Sequence, residues 1–360
     1  MAERLKDQFF TTSSIGKFIY AIENQFPEFD KIKFTGLIYD ATWESLELKA
    51  RMRQVTRSLK QCLPADYLTA LLMLIKIAPE IKGFEGMVLP DFVEQYGMDH
   101  WEESLNALGH FTKYSSSEFA IRPFLDQKPD LVMHYMMVWA ENDNENVRRF
   151  ASEGCRPRLP WAMLLPKFIA NPEPVVEVLE KLKDDPSLFV RKSVANNLND
   201  ISKDHPDLVM DIASRWYGYS DRTNWIVKHG LRTLLKKGNQ RALNLMGVSG
   251  ADNLEVKNLK LSSKSLRIGD SIRFSFDLYN LSSGGQMVRL EYLIQFAKAR
   301  GKTSEKVFQI AERELPPGKT TFNRKHSFAD LTTRKHYAGA HKITIVVNGE
   351  PKTNDNFSLK

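Results

Sequence analysis

Three stretches of this chain share one plan, and that plan limits what the chain can fold into. Pro129-Asp130-Leu131-Val132-Met133, Pro172-Glu173-Pro174-Val175-Val176 and Pro206-Asp207-Leu208-Val209-Met210 each place a proline at the head of an apolar run. Each is followed by a valine and a base: Val147-Arg148-Arg149, Val190-Arg191-Lys192 and Val227-Lys228-His229. The valines lie 43 and then 37 residues apart, close to the roughly 40–47 residues of a HEAT-type helix pair. Proline suits the first turn of a helix, where its missing N–H would have had no partner. Asp143-Asn144-Glu145, Asp185-Pro186-Ser187 and Asp221-Arg222-Thr223 supply cap chemistry for a second helix in each copy. A weaker copy ends in Ile121-Arg122, and residues 1–105 also read as helical, with starts at Asp66-Tyr67 and Asp99-His100-Trp101. A lone pair cannot bury its apolar face, so the pairs are expected to stack into a solenoid whose second helices line one face. The recurring bases would then form a stripe on that face.

The pattern changes after Gly247-Val248-Ser249-Gly250. Ser271-Ile272-Arg273-Phe274-Ser275-Phe276-Asp277-Leu278 alternates strictly, and 289–294 and 342–349 read as further strands. Ser282-Ser283-Gly284-Gly285 and Pro316-Pro317-Gly318 are turns. About seven short strands in this span suggest an immunoglobulin-like sandwich, with His336-Tyr337-Ala338-Gly339 placed to hold a tyrosine corner. The expected architecture is an all-α HEAT-like repeat solenoid over 1–250 followed by an all-β immunoglobulin-like sandwich over 251–360.

Charge separates the two parts. The net charge of the chain is +7, yet residues 251–360 hold 19 Lys and Arg against 11 Asp and Glu, so the excess lies in the sandwich. A basic excess confined to one domain points to a polyanionic partner or to a solvated basic surface. The longest apolar run, Leu68 to Ala78, is broken by Lys76 and is too short to span a membrane. Cys62 and Cys155 follow no metal or redox spacing, which points to reduced thiols in a cytoplasmic protein. Phosphate-loop, zinc and nucleophile-elbow motifs have no match, so any enzyme here works with carboxylates, arginines and aromatics.

The stretch Asn144–Trp161, NENVRRFASEGCRPRLPW, is the densest. On a helix from Asn144, residues Glu145, Arg148, Arg149, Ser152 and Arg156 share a face. Glu153 borders it, four residues after Arg149 and three before Arg156. Pro157 and Pro160 then put Trp161 on a stiff turn, where it either packs or faces a ligand. In Arg191–His205, residues Ser193, Asn196, Asn197 and Asp200 form a polar stripe opposite Val194, Leu198 and Ile201. Short polar residues weaken a helix, so these are expected to have a partner, either phosphate or the neighbouring repeat. Lys228, Arg232 and Lys236 fall on one face, with Trp225 and His229 beside it.

These stretches together resemble the AlkC family of alkylation-repair DNA glycosylases, relatives of the AlkD family. The residues that carry the resemblance are SEFAIRPF at 117–124, RRFASEGCRPRLPW at 148–161, the lysine, aspartates and proline at 183–186, and VRKSVANNLNDI at 190–201. The order of helical array then sandwich agrees with it. The resemblance implies hydrolysis of the N-glycosidic bond of cationic lesions such as 3-methyladenine and 3-methylcytosine. It further implies a monofunctional enzyme with no cofactor and no metal, which need not flip the base. The expected partner is double-stranded DNA carrying alkylated bases, bound by a monomer at the nucleoid of the bacterial cytoplasm.

The residue chemistry agrees. An N3-alkylated base is already a cationic leaving group, so the enzyme has to stabilise the sugar's developing positive charge and place a water. At ~4 Å and an effective dielectric of ~20, one carboxylate contributes ~4 kcal/mol against a unit charge, about a thousandfold in rate if realised in the transition state. Glu153 is the first candidate for this role and Glu118 the second, with Trp161 packing against the sugar or the cationic base and Asp200 as a further cleft residue. Arg122, Arg148, Arg149, Arg156, Arg158, Arg191, Lys192, Asn196, Asn197, Lys228, Arg232 and Lys236 are expected to hold DNA, chiefly its phosphates. In the sandwich Arg300, Lys302 and Arg324 are expected to clamp the far side of the duplex. Two other readings use the same face: a damage sensor that binds without releasing a base, and a HEAT scaffold for protein partners.

Overall fold

The computed structural model describes residues 8–248, 250–330 and 335–360. The charged start at residues 1–7 and Ser249 of the expected boundary lie outside them. The expected helices are present: Pro129–Trp139 and Glu145–Gly154, Glu173–Leu182 and Leu188–Ile201, and Pro206–Trp216 and Asp221–Gly230. Local chemistry starts these helices. The Asn144 side chain accepts from Asn146 N (2.9 Å), and the Ser187 hydroxyl accepts from Phe189 N (3.2 Å). The valine of each copy, Val147, Val190 and Val227, is buried. Helix Glu145–Gly154 packs on Pro129–Trp139, Glu173–Leu182 and Leu188–Ile201, and the last packs in turn on Asp221–Gly230. The N-terminal region is helical as well, and helix Tyr67–Ile77 begins where Asp66 accepts from Thr69 N (2.8 Å). Among the described residues no helix is long and apolar enough to cross a membrane.

The repeated arginine turns out to be part of the fold. Arg148 Nη1 donates to the carbonyls of Asn142 and Asp143, six and five residues back (both 2.9 Å). Arg191 Nη1 does the same to Asp185 and Pro186 (2.8 and 2.9 Å). Each guanidinium therefore ties down carbonyls of the turn between the two helices of its pair, groups that would otherwise need water. Arg148 also forks onto Asp185 of the next pair through Nε (2.6 Å) and Nη2 (3.1 Å). The period in the sequence is real, and in these two residues it supplies the donors that close the turn within each pair.

The last helix ends at Leu245, and the strands are β1 Leu254–Leu261, β2 Ser265–Leu266, β3 Ser271–Asn280, β4 Gln286–Ala297, β5 Thr303–Leu315, β6 Gly318–Ser327, β7 Gly339–Val347 and β8 Glu350–Leu359. They form two sheets, ordered β1-β3-β6 and β2-β8-β7-β4-β5. Alternate residues of both sheets, among them Ile272, Phe274, Phe276, Leu290, Ile294, Ile343 and Ile345, meet in one core. Tyr337 is not a tyrosine corner: it is exposed, with the Lys298 ammonium 5.9 Å from its ring.

The chain divides into two compact units. One runs up to His205 and includes Gly218–Gly230; the other is Pro206–Tyr217 with Leu231–Lys360. In the second unit, Gly238 lies against Gly349 of the β7–β8 turn. Both have positive φ (70° and 83°), and a Cβ on Gly238 would stand 2.9 Å from the Gly349 carbonyl oxygen. That close backbone approach needs glycine.

Candidate active site

Helix Glu145–Gly154 carries the centre of the site. Arg149 and Glu153 face the same way one turn apart, and Arg156 follows on the chain that leaves the helix. Arg149 Nη1 pairs with Glu118 Oε2 and donates to the Ser116 hydroxyl (3.0 Å), while its Nη2 lies 3.6 Å from Glu153 Oε1. Ser116 in turn donates to Glu118 (2.8 Å). Glu153 Oε1 accepts from Arg156 Nη1 (2.5 Å), and its Oε2 accepts from the Ser193 hydroxyl (2.6 Å). Arg156 continues to Asp200 Oδ2 through Nε and Nη2 (both 2.8 Å), and Lys203 closes the series on Asp200 Oδ1 (2.8 Å). Charges thus alternate from Glu118 to Lys203. Burial works against the charge on Arg156, but Glu153 and Asp200 outweigh it and hold its proton above the ordinary arginine value.

Trp161 follows on the same stretch of chain, five residues after Arg156. It is 71% exposed and has φ of +62°. A left-handed conformation at an aromatic residue costs on the order of 1–2 kcal/mol and marks a functional or strained position. Two cations hold its turn by carbonyl oxygens: Lys49 Nζ donates to Trp161 (2.6 Å), and Arg122 Nε donates to Met163.

The solved structure titled Pseudomonas fluorescens alkylpurine DNA glycosylase AlkC bound to DNA containing an abasic site analog superposes with a TM-score of 0.95. The two are 38% identical, and the match covers 99% of this chain and 100% of that one. The chain belongs to the AlkC family of alkylation-repair DNA glycosylases. The family described as "DNA alkylation repair enzyme" matches residues 112–233, and the C-terminal Ig-like domain of the protein YhaZ matches 255–360. The Bacillus subtilis (strain 168) protein YhaZ is 48% identical over 346 residues, 96% of each chain.

In this AlkC-family chain several residues expected on phosphates sit elsewhere. Arg122 is 1% exposed, and its Nη1 donates to the carbonyls of Gly154 (3.2 Å) and Arg156 (3.0 Å). Burial pushes its pKa down to about 10, so it ties the chain after Gly154 to the fold and does not reach solvent. Arg156 is a bridge between buried carboxylates. Arg158 forks onto Asp204 (both 2.8 Å). The polar stripe of helix Leu188–Ile201 faces inward: Ser193 meets Glu153 and Ser152, and Asn197 Nδ2 donates to Ser152 O (2.9 Å). Its partner is therefore the neighbouring repeat, because this helix is packed between helices on both sides and has no free face there. Asn196 is half-buried and Lys192 exposed.

Lys228, Arg232 and Lys236 do not share one helix. The helix ends at Gly230, a second covers Arg232–Lys236, and the two belong to different compact units. Lys228 and Lys236 are exposed and Arg232 is half-buried. Arg300, at φ +60° in the β4–β5 connection, is exposed, as are Lys302 and Arg324, although the Arg324 guanidinium donates to its own strand's Asn323 O and to Ile310 O. Lys260, Arg273 and Lys325, none of them among the DNA contacts named above, line a cavity of about 470 Å³ on the β1-β3-β6 sheet. Arg273 and Lys325 are cross-strand partners, and like charges placed opposite each other destabilise a sheet until an anion arrives.

Proposed function

We propose that this glycosylase releases cationic alkylated bases, 3-methyladenine and 3-methylcytosine, from double-stranded DNA by hydrolysis, as a monofunctional enzyme without a cofactor. The observation that carries the reading is the pair Glu118 and Glu153, joined through Arg149, with the exposed Trp161 on the same motif stretch as Glu153. The C1′–N bond breaks, and its electron pair leaves with the base and neutralises it. The sugar is left as an oxocarbenium ion. A carboxylate stabilises that charge and accepts a proton as water adds to C1′. Trp161 offers a π face to the sugar or the cationic base. Glu153 leads the assignment and Glu118 follows it, with Glu118 the less buried of the two. Asp200 acts through Arg156. Arg149, Arg156 and Ser193 fill the space around the Glu153 carboxylate, which supports a lesion that stays in the stack.

Lys192, Lys228 and the exposed cations of the sandwich, Arg300, Lys302 and Arg324 together with Lys260, Arg273 and Lys325, would hold phosphates on the duplex. The enzyme would work as a monomer in the cytoplasm.

The test is release of free 3-methyladenine and 3-methylcytosine from methylated duplex, with chelator present, by wild type and Glu153→Gln. Release by wild type and loss in the variant, with lesion-DNA binding retained, is expected. Unchanged release removes Glu153 from the mechanism, and binding without release by either protein favours a damage sensor.

A further inference from the structure

Residues 1–105 carry no chemical motif, yet one of their side chains reaches the site. Lys49 opens helix Leu48–Cys62. Its ammonium donates to the Trp161 carbonyl oxygen (2.6 Å) and lies 4.0 Å from the centroid of the Phe119 ring. Phe119 directly follows Glu118. One cation therefore touches both the residue next to a candidate carboxylate and the backbone of the candidate aromatic.

The Trp161 turn needs such a hold. Pro157 and Pro160 lack N–H groups, and although Leu159 and Leu165 are buried at either end and Arg122 holds the Met163 carbonyl, Trp161, Met163 and Leu164 are all exposed, so burial does little to fix the tip of the turn. Its own hydrogen bonds are one long contact, Ala162 N to Leu159 O (3.4 Å), and Leu165 N to Pro157 O (3.1 Å). The left-handed Trp161 points its carbonyl at Lys49, where a charged donor meets it.

Lys49 itself stands on a fixed support. One turn on, Arg53 Nη2 pairs with Asp91 Oδ1 (2.8 Å) and Glu94 Oε1 (2.9 Å) of helix Val88–Tyr96, and the Thr56 hydroxyl donates to Asp91 Oδ2 (2.6 Å). Asp91 is 2% exposed and Thr56 wholly buried. Buried, fully hydrogen-bonded charge of this kind holds two helices in one register. Burial lowers the Lys49 pKa, and Glu94 and Asp91 act against that.

We infer that Lys49 is a positioning residue for the glycosylase reaction: from the pinned helix Leu48–Cys62 it locks the Trp161 turn against the Glu118–Phe119 segment, so that ring and carboxylate keep one spacing. The inference rests on the reading above, in which Glu118 and Trp161 act at the lesion. Lys49→Met keeps the apolar stem and removes the donor; Lys49→Arg restores a donor and a cation over Phe119. With the full chain in excess over methylated duplex, Lys49→Met should release 3-methyladenine between about tenfold and a hundredfold more slowly in a single turnover, the range expected when a reacting group is misplaced by up to about 1 Å. Affinity for undamaged duplex and melting temperature should stay at the wild-type values, and Lys49→Arg should recover most of the rate. A Lys49→Met rate equal to wild type overturns the inference and leaves the reading standing. A lowered melting temperature, or a rate that Arg does not recover, makes Lys49 a merely structural or a specifically ammonium-dependent group and overturns it too. If wild type releases no base, the reading fails and takes the inference with it.

Discussion

Arg156→Met separates two roles for one guanidinium. The sequence places Arg156 among phosphate contacts, while the structure buries it (6% exposed) between Glu153 and Asp200, themselves 6% and 2% exposed. Removing it leaves Glu153 with Ser193 at 2.6 Å and Arg149 at 3.6 Å, and leaves Asp200 with Lys203 at 2.8 Å. Breaking a buried ion pair from one side costs about 3–5 kcal/mol, because the remaining charge stays desolvated. In a unit of this size each kcal/mol lowers the melting temperature by roughly 2–4 °C, so the expected fall is roughly 6–20 °C. Thermal unfolding followed by circular dichroism measures it. The double variant Arg156→Met/Glu153→Gln should recover part of the loss, since it also discharges the carboxylate left with its nearest cation 3.6 Å away, whereas Asp200 keeps Lys203 at 2.8 Å. The dependence of undamaged-duplex affinity on salt should match wild type. A melting temperature within about 2 °C of wild type, or a salt slope shallower by about 0.9, would refute the argument and return Arg156 to the phosphate backbone.

Neighbouring bases on helix Leu188–Ile201 should behave differently. Lys192→Gln is expected to reduce the salt slope of duplex binding by about 0.9, the loss of one phosphate contact. Arg191→Gln should leave the slope alone and loosen the turn at Asp185–Pro186, whose carbonyls it holds; equal slope changes for the two would defeat this distinction. In the sandwich, hydrogen bonds from Asn258 (2.8 Å), Thr321 (2.7 Å) and Lys319 (3.0 Å) keep Asp277 down at about 2. A carboxyl depressed in the folded state stabilises the fold above its ordinary value of 3.8 and loses that contribution as pH falls toward about 2. Melting between pH 4 and pH 2 should therefore be less pH-dependent in Asp277→Asn than in wild type, and identical profiles would count against it.

What could be read from the residues alone was governed by neighbours in sequence. Prolines at 129 and 206 and the caps Asn144 and Ser187 start helices through groups only a few residues away, and the alternation of β3 reports its own two faces. A stiff turn at Trp161 follows from Pro157 and Pro160, whereas its left-handed φ does not show in the sequence. The motif stretch around Glu153 was visible because Arg149 and Arg156 fall one helical turn to either side.

The destination of each charge was not visible, because it depends on residues far along the chain. Arg156 meets Asp200, 44 positions away, and Lys49 meets Trp161, 112 positions away. Arg148 and Arg191 looked like a stripe for phosphate, but each also donates to carbonyls of its own turn, left without a helical partner by the chain's course there. Local pattern thus determined the helix pairs, the strands and the family's motif residues. Packing alone decided which cations are taken up by carbonyls of the fold, which link the carboxylates of the site, and that a lysine from the unmarked first hundred residues holds the Trp161 turn.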